Sequence, residues 1–270
     1  MISDFASVES YKAESVDSVI EHFKVVASFP RQIIILLGTQ LIGTLDPNDG
    51  PVSDRMIDLE QTSQFPSFSI AMAMAHHGDP GIIAQIVERR QWAQDHLSVM
   101  ADRVDSRETM ATVRKLFSPD QWKTFARGEP FTTTMQGLFH AAILTTAEAF
   151  ATGHPSGLAL PTAPALHDHF VFRLALCHVI HLIDMAGGGT VTRNAKQALN
   201  DRVDVFHAAY ATYFNGLMTS DERAARTHIH ARKALRSLGA TLAEDYADSM
   251  QGMVVDLIND RRAKAGMPLL

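Results

Sequence analysis

Alanine, leucine and methionine recur at three- and four-residue spacing through most of the chain, the pattern by which a helix lays an apolar stripe along one side. A chain written this way folds mainly as helices. One helix is predicted over residues 13–27, with Val16, Val19, Ile20 and Phe23 on its apolar face, ending before Phe29-Pro30 because a residue preceding proline is pushed out of the helical region. Longer helices are predicted over residues 80–104, opening on Pro80, and over 131–151, with a shorter one starting at Ser118-Pro119. Gly239 closes a further helix, and Thr241 with Glu244 forms a capping box ahead of Met250, Val254 and Ile258.

Two segments break the helical period. Residues 33–37 (Ile-Ile-Ile-Leu-Leu) form an apolar, β-branched run between Pro30 and Gly38, as expected of a central strand covered on both faces. Residues 216–221 form a second short candidate, and residues 68–75 fit either a strand or a helix start. Helices around a few buried parallel strands make an α/β layer design with ligands at the strand C-terminal ends. With 46% hydrophobic residues and no linker-like stretch or repeat, a single domain over residues 1–270 is expected.

Other features exclude whole classes. Cys177 is the one cysteine, so neither an intramolecular disulfide nor a cysteine-based zinc site can form. The opening Met-Ile-Ser-Asp-Phe lacks the basic and apolar stretches of a signal peptide, and no apolar run approaches the roughly 20 residues of a membrane helix; a cytoplasmic chain without a membrane span is expected. The net charge of −6 argues against a generally basic nucleic-acid binder, although 13 histidines sensitise the charge to mild acid.

The chemistry concentrates in residues 200–221. Asn200 reads as an N-cap, which puts Asp201 and Asp204 in the first turn of a helix, and Asp221 ends the second strand candidate. Carboxylates at a helix start are favoured by its dipole alone. Gathered together they repel, unless a hard cation such as Mg²⁺ or Mn²⁺ holds them and activates water against a phosphodiester.

The pattern Asn-Asp-x-x-Asp-x-x-His-Ala-Ala-Tyr-Ala-x-Tyr from Asn200, followed by the short apolar run ending Thr219-Ser220-Asp221, resembles the C-terminal half of PIN-domain nucleases. That resemblance implies a small parallel sheet enclosed by helices, here with a large helical insertion over about residues 80–190. It implies Mg²⁺- or Mn²⁺-dependent hydrolysis of RNA, with Asp204 and Asp221 as metal-binding catalytic residues and Asp201 as an accessory. The family's first strand runs into an aspartate, where this chain has Gly38; Glu60, His76 and His77 are the candidates for completing the acidic set. With Gly38 in that place, the alternative is a noncatalytic binding or assembly module, acting on a protein partner or as a homo-oligomer.

Immediately after Asp221 the chain turns basic. Arg223, Arg226, Arg232, Lys233 and Arg236 fall on one predicted helix, suited to RNA phosphates; an ordinary solvated face with Ile229, Ala231 and Leu235 packed inward reads equally well. A third reading uses histidines. His178, His181 and Asp184 share i, i+3 spacing, and His140, His167-Asp168 and Asp204 together resemble, loosely, the all-helical HD-domain metal phosphohydrolases. The plain reading of these histidines, and of Cys177, is packed core. Gly187-Gly188-Gly189 lacks the Lys and Ser/Thr of a phosphate loop and reads as a helix stop.

Overall fold

A computed structural model describes residues 1–102, 106–127, 129–187 and 195–245. Helices occur in the order α1 Asp4–Tyr11, α2 Val16–Ala27, α3 Thr39–Gly43, α4 Val52–Arg55, α5 Leu59–His76, α6 Pro80–Asp102, α7 Ser106–Arg114, α8 Pro119–Ala126, α9 Thr133–Thr152, α10 Phe170–Gly187, α11 Ala195–Ala211 and α12 Glu222–Ser237. Their starts are written in the sequence. Ser3, Ser15, Asp58, Thr132 and Asp221 each accept a backbone N–H of the first turn, and Ser118 with Gln121 completes a capping box over Pro119. At the other end of α12, Gly239 takes φ +76°, the left-handed C-terminal stop that glycine adopts without a Cβ penalty.

The expected α/β architecture is not what the chain forms: among the described residues there is no strand and no sheet. Residues 33–37 are extended but make only isolated bridges, Ile2 with Ile35 and Leu36 with Ile57. The reason lies in the flanking caps. One residue after Ile2, Ser3 starts α1, and one residue after Ile57, Asp58 starts α5, so neither partner stays extended long enough to build a ladder. The backbone groups of the segment are satisfied singly, Leu36 N by Ile2 O (2.9 Å), Leu37 N by Met56 O (2.8 Å) and Ile35 N by Thr62 Oγ1 (2.9 Å), which removes the need for neighbouring strands. Residues 216–221 are irregular rather than a strand, with Met218 91% exposed, and residues 68–75 lie inside α5.

With no sheet to be inserted into, the described helices α6 to α10 are part of the main body of the fold rather than an insertion. At its centre is α10, packed against α9, α11 and α12. Phe170, Phe172, Leu176, Cys177, Val179 and Ile183 are buried along it, and burying a large apolar side chain contributes about 1.5–3 kcal/mol. Among the described helices, α10 alone is long and apolar enough to cross a membrane, with mean hydropathy 1.5 over 18 residues, and 67% of it is buried inside the molecule. Gly187 ends α10 against the Phe125 ring of α8, where any Cβ would overlap the ring; Gly188 and Gly189 lie outside the described residues. A second apolar cluster, Val19, Ile20, Phe23, Met72, Ala75 and Ile86, joins α2, α5 and α6.

Two buried arginines tie the end of the described chain to this core. Arg173, 1% exposed, donates to His167 O (3.0 Å), Thr212 O (3.0 Å), Asp168 Oδ1 (2.5 Å) and Thr241 O (2.7 Å), and its guanidinium lies 3.9 Å from the centre of the Tyr213 ring. Arg232 pairs with Asp245 (3.0 Å) and donates to Phe214 O (3.2 Å) and Ala243 O. Residues 241–245 are therefore held in irregular structure rather than opening a helix at Thr241. Met250, Val254 and Ile258 lie outside the described residues.

Candidate functional site

The three aspartates converge, though not as the sequence pattern implied. Asn200 is no N-cap: α11 begins at Ala195, so Asp201 and Asp204 stand inside the helix, where its dipole offers them little. Asp221 caps α12 instead of ending a strand, Oδ1 accepting from Arg223 N (2.8 Å) and Ala224 N (2.9 Å). Because α11 packs on both α1 and α12, Asp201, Asp204 and Asp221 line one cavity of about 230 Å³ together with Glu9, Lys12, Gln197 and Asn200.

The sequence reading missed Glu9 and Lys12. They form an i, i+3 ion pair on α1, an ordinary surface arrangement whose relevance depends on the α1–α11 packing. Phe5, stacked on Phe206 with ring centroids 4.1 Å apart, and Val8, buried with Ala93 and Leu97, set that packing. They turn Glu9 and Lys12 toward Asn200, whose Oδ1 accepts from Lys12 Nζ at 3.3 Å.

Electrostatics single out Asp204. Burial, and then the charges of Asp221, Glu9 and Asp201, raise its pKa to about 6, with Lys12 opposing them. The other carboxylates have protein partners. Asp201 accepts from Arg223 Nη1 (3.4 Å) and lies 3.8 Å from His181 Nε2, Asp221 holds the α12 amides, and Glu9 holds Lys12.

The donor chemistry of the cavity, carboxylate and side-chain amide oxygens, suits a hard cation. The arrangement does not fit a preformed metal centre: among the described residues, no group of three or more His, Cys, Asp and Glu is placed to hold a metal ion. The same observation separates the histidine candidates. Asp168 is engaged by Arg173 and by Thr241 N (2.9 Å), His167 packs against Phe172, and His140, His167, Asp168 and Asp204 form no such group. His178 lies against the Phe150 ring, and burial lowers its pKa to about 4, which keeps it a neutral core residue. Glu60, His76 and His77 are exposed on α5 and at its end and are not among the cavity residues.

The basic run does form α12, but only part of it faces outward. Arg232 is buried at 3% exposure, Arg223 is turned to Asp201, and Arg226 pairs with Asp184 (3.1 Å); Arg226, His230, Lys233 and Arg236 are exposed, and so is Ile229 at 48%, whereas Ala231 and Leu235 pack inward as expected.

The position expected to carry the family's first aspartate is occupied differently. Gly38 precedes α3, and a Cβ there would stand 3.9 Å from Asp4 Oδ2. Asp4 accepts from Thr39 N and Thr39 Oγ1 (both 2.7 Å) and from Tyr210 OH (3.1 Å), so this carboxylate reaches the start of α3 from α1 and serves to join three helices. Comparison of the chain with protein-family models, with curated proteins and with solved structures yields no match.

Proposed function

We propose that this chain is a noncatalytic binding module whose acidic cavity between α1, α11 and α12 takes up a cation. One observation carries the reading: Asp204 sits half-buried among Asp221, Glu9 and Asp201, and its burial first, with the charges of those three adding to it, raises its pKa to about 6. A cation entering the cavity replaces proton binding at Asp204 and relieves that repulsion. Lys12 and Arg223 supply the protein's own positive charge at this place, and they occupy Glu9 and Asp201 rather than Asp204. The occupied state of the other three carboxylates favours binding over catalysis, since no open set of three ligands is assembled among the described residues.

The test is calorimetric titration with Mn²⁺, Mg²⁺ and spermidine at several pH values. Binding of one or more of these, weakened about tenfold by Asp204→Asn and weakening as pH falls below about 6, supports the reading. Absence of binding by all three overturns it.

A second reading, Mg²⁺- or Mn²⁺-dependent hydrolysis of RNA, draws on a separate observation: Asp204 and Asp221 share the cavity, and the exposed side of α12 beside it carries Arg226, Lys233 and Arg236. A divalent ion would contribute a more acidic bound water and charge neutralisation at the phosphate; the basic side chains would position the backbone. Cleavage of RNA in either metal, lost in both Asp204→Asn and Asp221→Asn, favours this reading over the first.

A further inference from the structure

Asn215-Gly216 is the one Asn-Gly pair in the chain. It lies in the irregular stretch between α11 and α12, with Asn215 exposed and Gly216 at φ +127°, a conformation that glycine adopts without a Cβ penalty. Asparagine is chemically labile, most of all where the next backbone nitrogen is free to close on its side-chain amide carbon, and the described asparagines differ in that nitrogen. After Asn48, the Asp49 N–H donates to Asp46 O (3.1 Å). After Asn200, the Asp201 N–H lies inside α11, where the helix engages it. After Asn215, the Gly216 N–H has no acceptor among the described residues, and Gly216 carries no side chain to hinder its approach.

The Asn215 amide also has a task. Its Nδ2 donates to Glu244 O (2.9 Å), while Arg232 donates to Phe214 O and Ala243 O and pairs with Asp245. Together these bonds fasten residues 243–245 to the turn that follows α11. We propose that Asn215 is a site of spontaneous deamidation and that the reaction unfastens this segment. The Gly216 nitrogen gives its proton to water and attacks Cγ of Asn215; the Cγ–Nδ2 bond breaks, ammonia leaves and a cyclic imide remains. Water then opens the imide at either carbonyl to give aspartate or isoaspartate, with nothing oxidised or reduced. Either product sets a carboxylate against Glu244 O, and both groups only accept hydrogen bonds. It also adds negative charge to a place that already holds Glu244 and Asp245. Isoaspartate further lengthens the main chain of the turn by one methylene.

Mass spectrometry of digests, taken after incubation of the full chain in native buffer at about pH 7 to 9, tests the site. Asn215 is expected to convert at least about tenfold faster than Asn48 and Asn200, at a rate that rises with pH as more of the attacking nitrogen is deprotonated. Asn215→Gln, which closes a less favourable six-membered ring, should stay unconverted at this position. The consequence is read by limited digestion with a glutamate-specific protease, because the carbonyl of its scissile bond at Glu244 is the one Asn215 holds. Cleavage after Glu244 should be about threefold or more faster in converted chains and in Asn215→Asp than in unconverted chains and in Asn215→Gln. Conversion of Asn215 no faster than of Asn48 and Asn200, or converted chains cleaved after Glu244 at the unconverted rate, overturns the inference.

Discussion

Asp221 anchors the first amides of α12 through Oδ1 while its charge raises the pKa of Asp204 across the shared cavity. One residue thus serves helix start and cavity field together, and the pH dependence follows. Asp204 is raised to about 6 in the folded chain, against about 3.9 for an unperturbed aspartate. Between these values the folded state holds the extra proton, so this residue's contribution to stability falls as pH rises from about 4 to 6 and stays lost above. After discounting for its partial exposure, the cost at neutral pH is about 1 kcal/mol. Asp204→Asn should therefore be more stable than the wild type by about that amount near pH 7.5 and indistinguishable near pH 4, as measured by urea unfolding at both pH values.

Much of the helical framework was legible because its signals are local. Caps at Ser118 and Gly239 and the stripe on residues 16–23 depend only on neighbours a turn away. The strand expected at residues 33–37 failed for a non-local reason: its composition demanded burial, which helices supply as well as a sheet, and the caps at Ser3 and Asp58 cut short the partners it needed. Asp204 and Asp221 were legible as a pair, whereas Glu9 was not, since nothing in the spacing of α1 shows that Phe5 will stack on Phe206. The N-cap reading of Asn200 failed because α11 starts five residues earlier, and the capping box at Thr241 was overridden by the arginines that hold residues 241–245.

The Asp4 network predicts an ordered pair of effects. Asp4→Ala leaves Thr39 N, Thr39 Oγ1 and Tyr210 OH without their carboxylate, and hydrogen bonds to a charged group contribute about 1.5–3 kcal/mol each. With the site only half-buried, a loss of about 2–4 kcal/mol is expected. Tyr210→Phe removes one hydroxyl, with its contacts to Asp4 Oδ1 (3.1 Å) and Thr39 Oγ1 (2.6 Å), and leaves both Thr39 bonds to Asp4 in place, for a loss of about 1 kcal/mol. Urea denaturation should rank the two in that order; equal losses would show that the Tyr210 hydroxyl, not the Asp4 bonds to Thr39, joins these helices.

Arg173 is replaceable by neither an apolar residue nor lysine. Its fork reaches Asp168, Thr212 O, Thr241 O and His167 O from a position 1% exposed, and removing one partner of a buried pair costs about 3–5 kcal/mol. Lysine keeps the charge but cannot span these acceptors from a single ammonium. Thermal unfolding should show both Arg173→Met and Arg173→Lys strongly destabilised, with Arg173→Lys recovering less than half of the loss.

Cys177 provides a clock for opening of the core. It is fully buried on α10, and burial raises its thiol pKa to about 12, with Arg173 opposing the shift. Reaction with a disulfide reagent requires the thiolate and access, and the native chain offers neither at neutral pH. Labelling should therefore proceed only through opening of the α9–α10–α11 core, where Cys177 is packed. Its rate in native buffer should be at least about a thousandfold below that in denaturant. It should also rise in Arg173→Met, which loosens the same helix, and remain unchanged in Ile70→Lys/Met74→Lys, whose substitutions lie on the outer face of α5. Rapid labelling of the native wild type would place Cys177 at the surface and contradict the packing of α10.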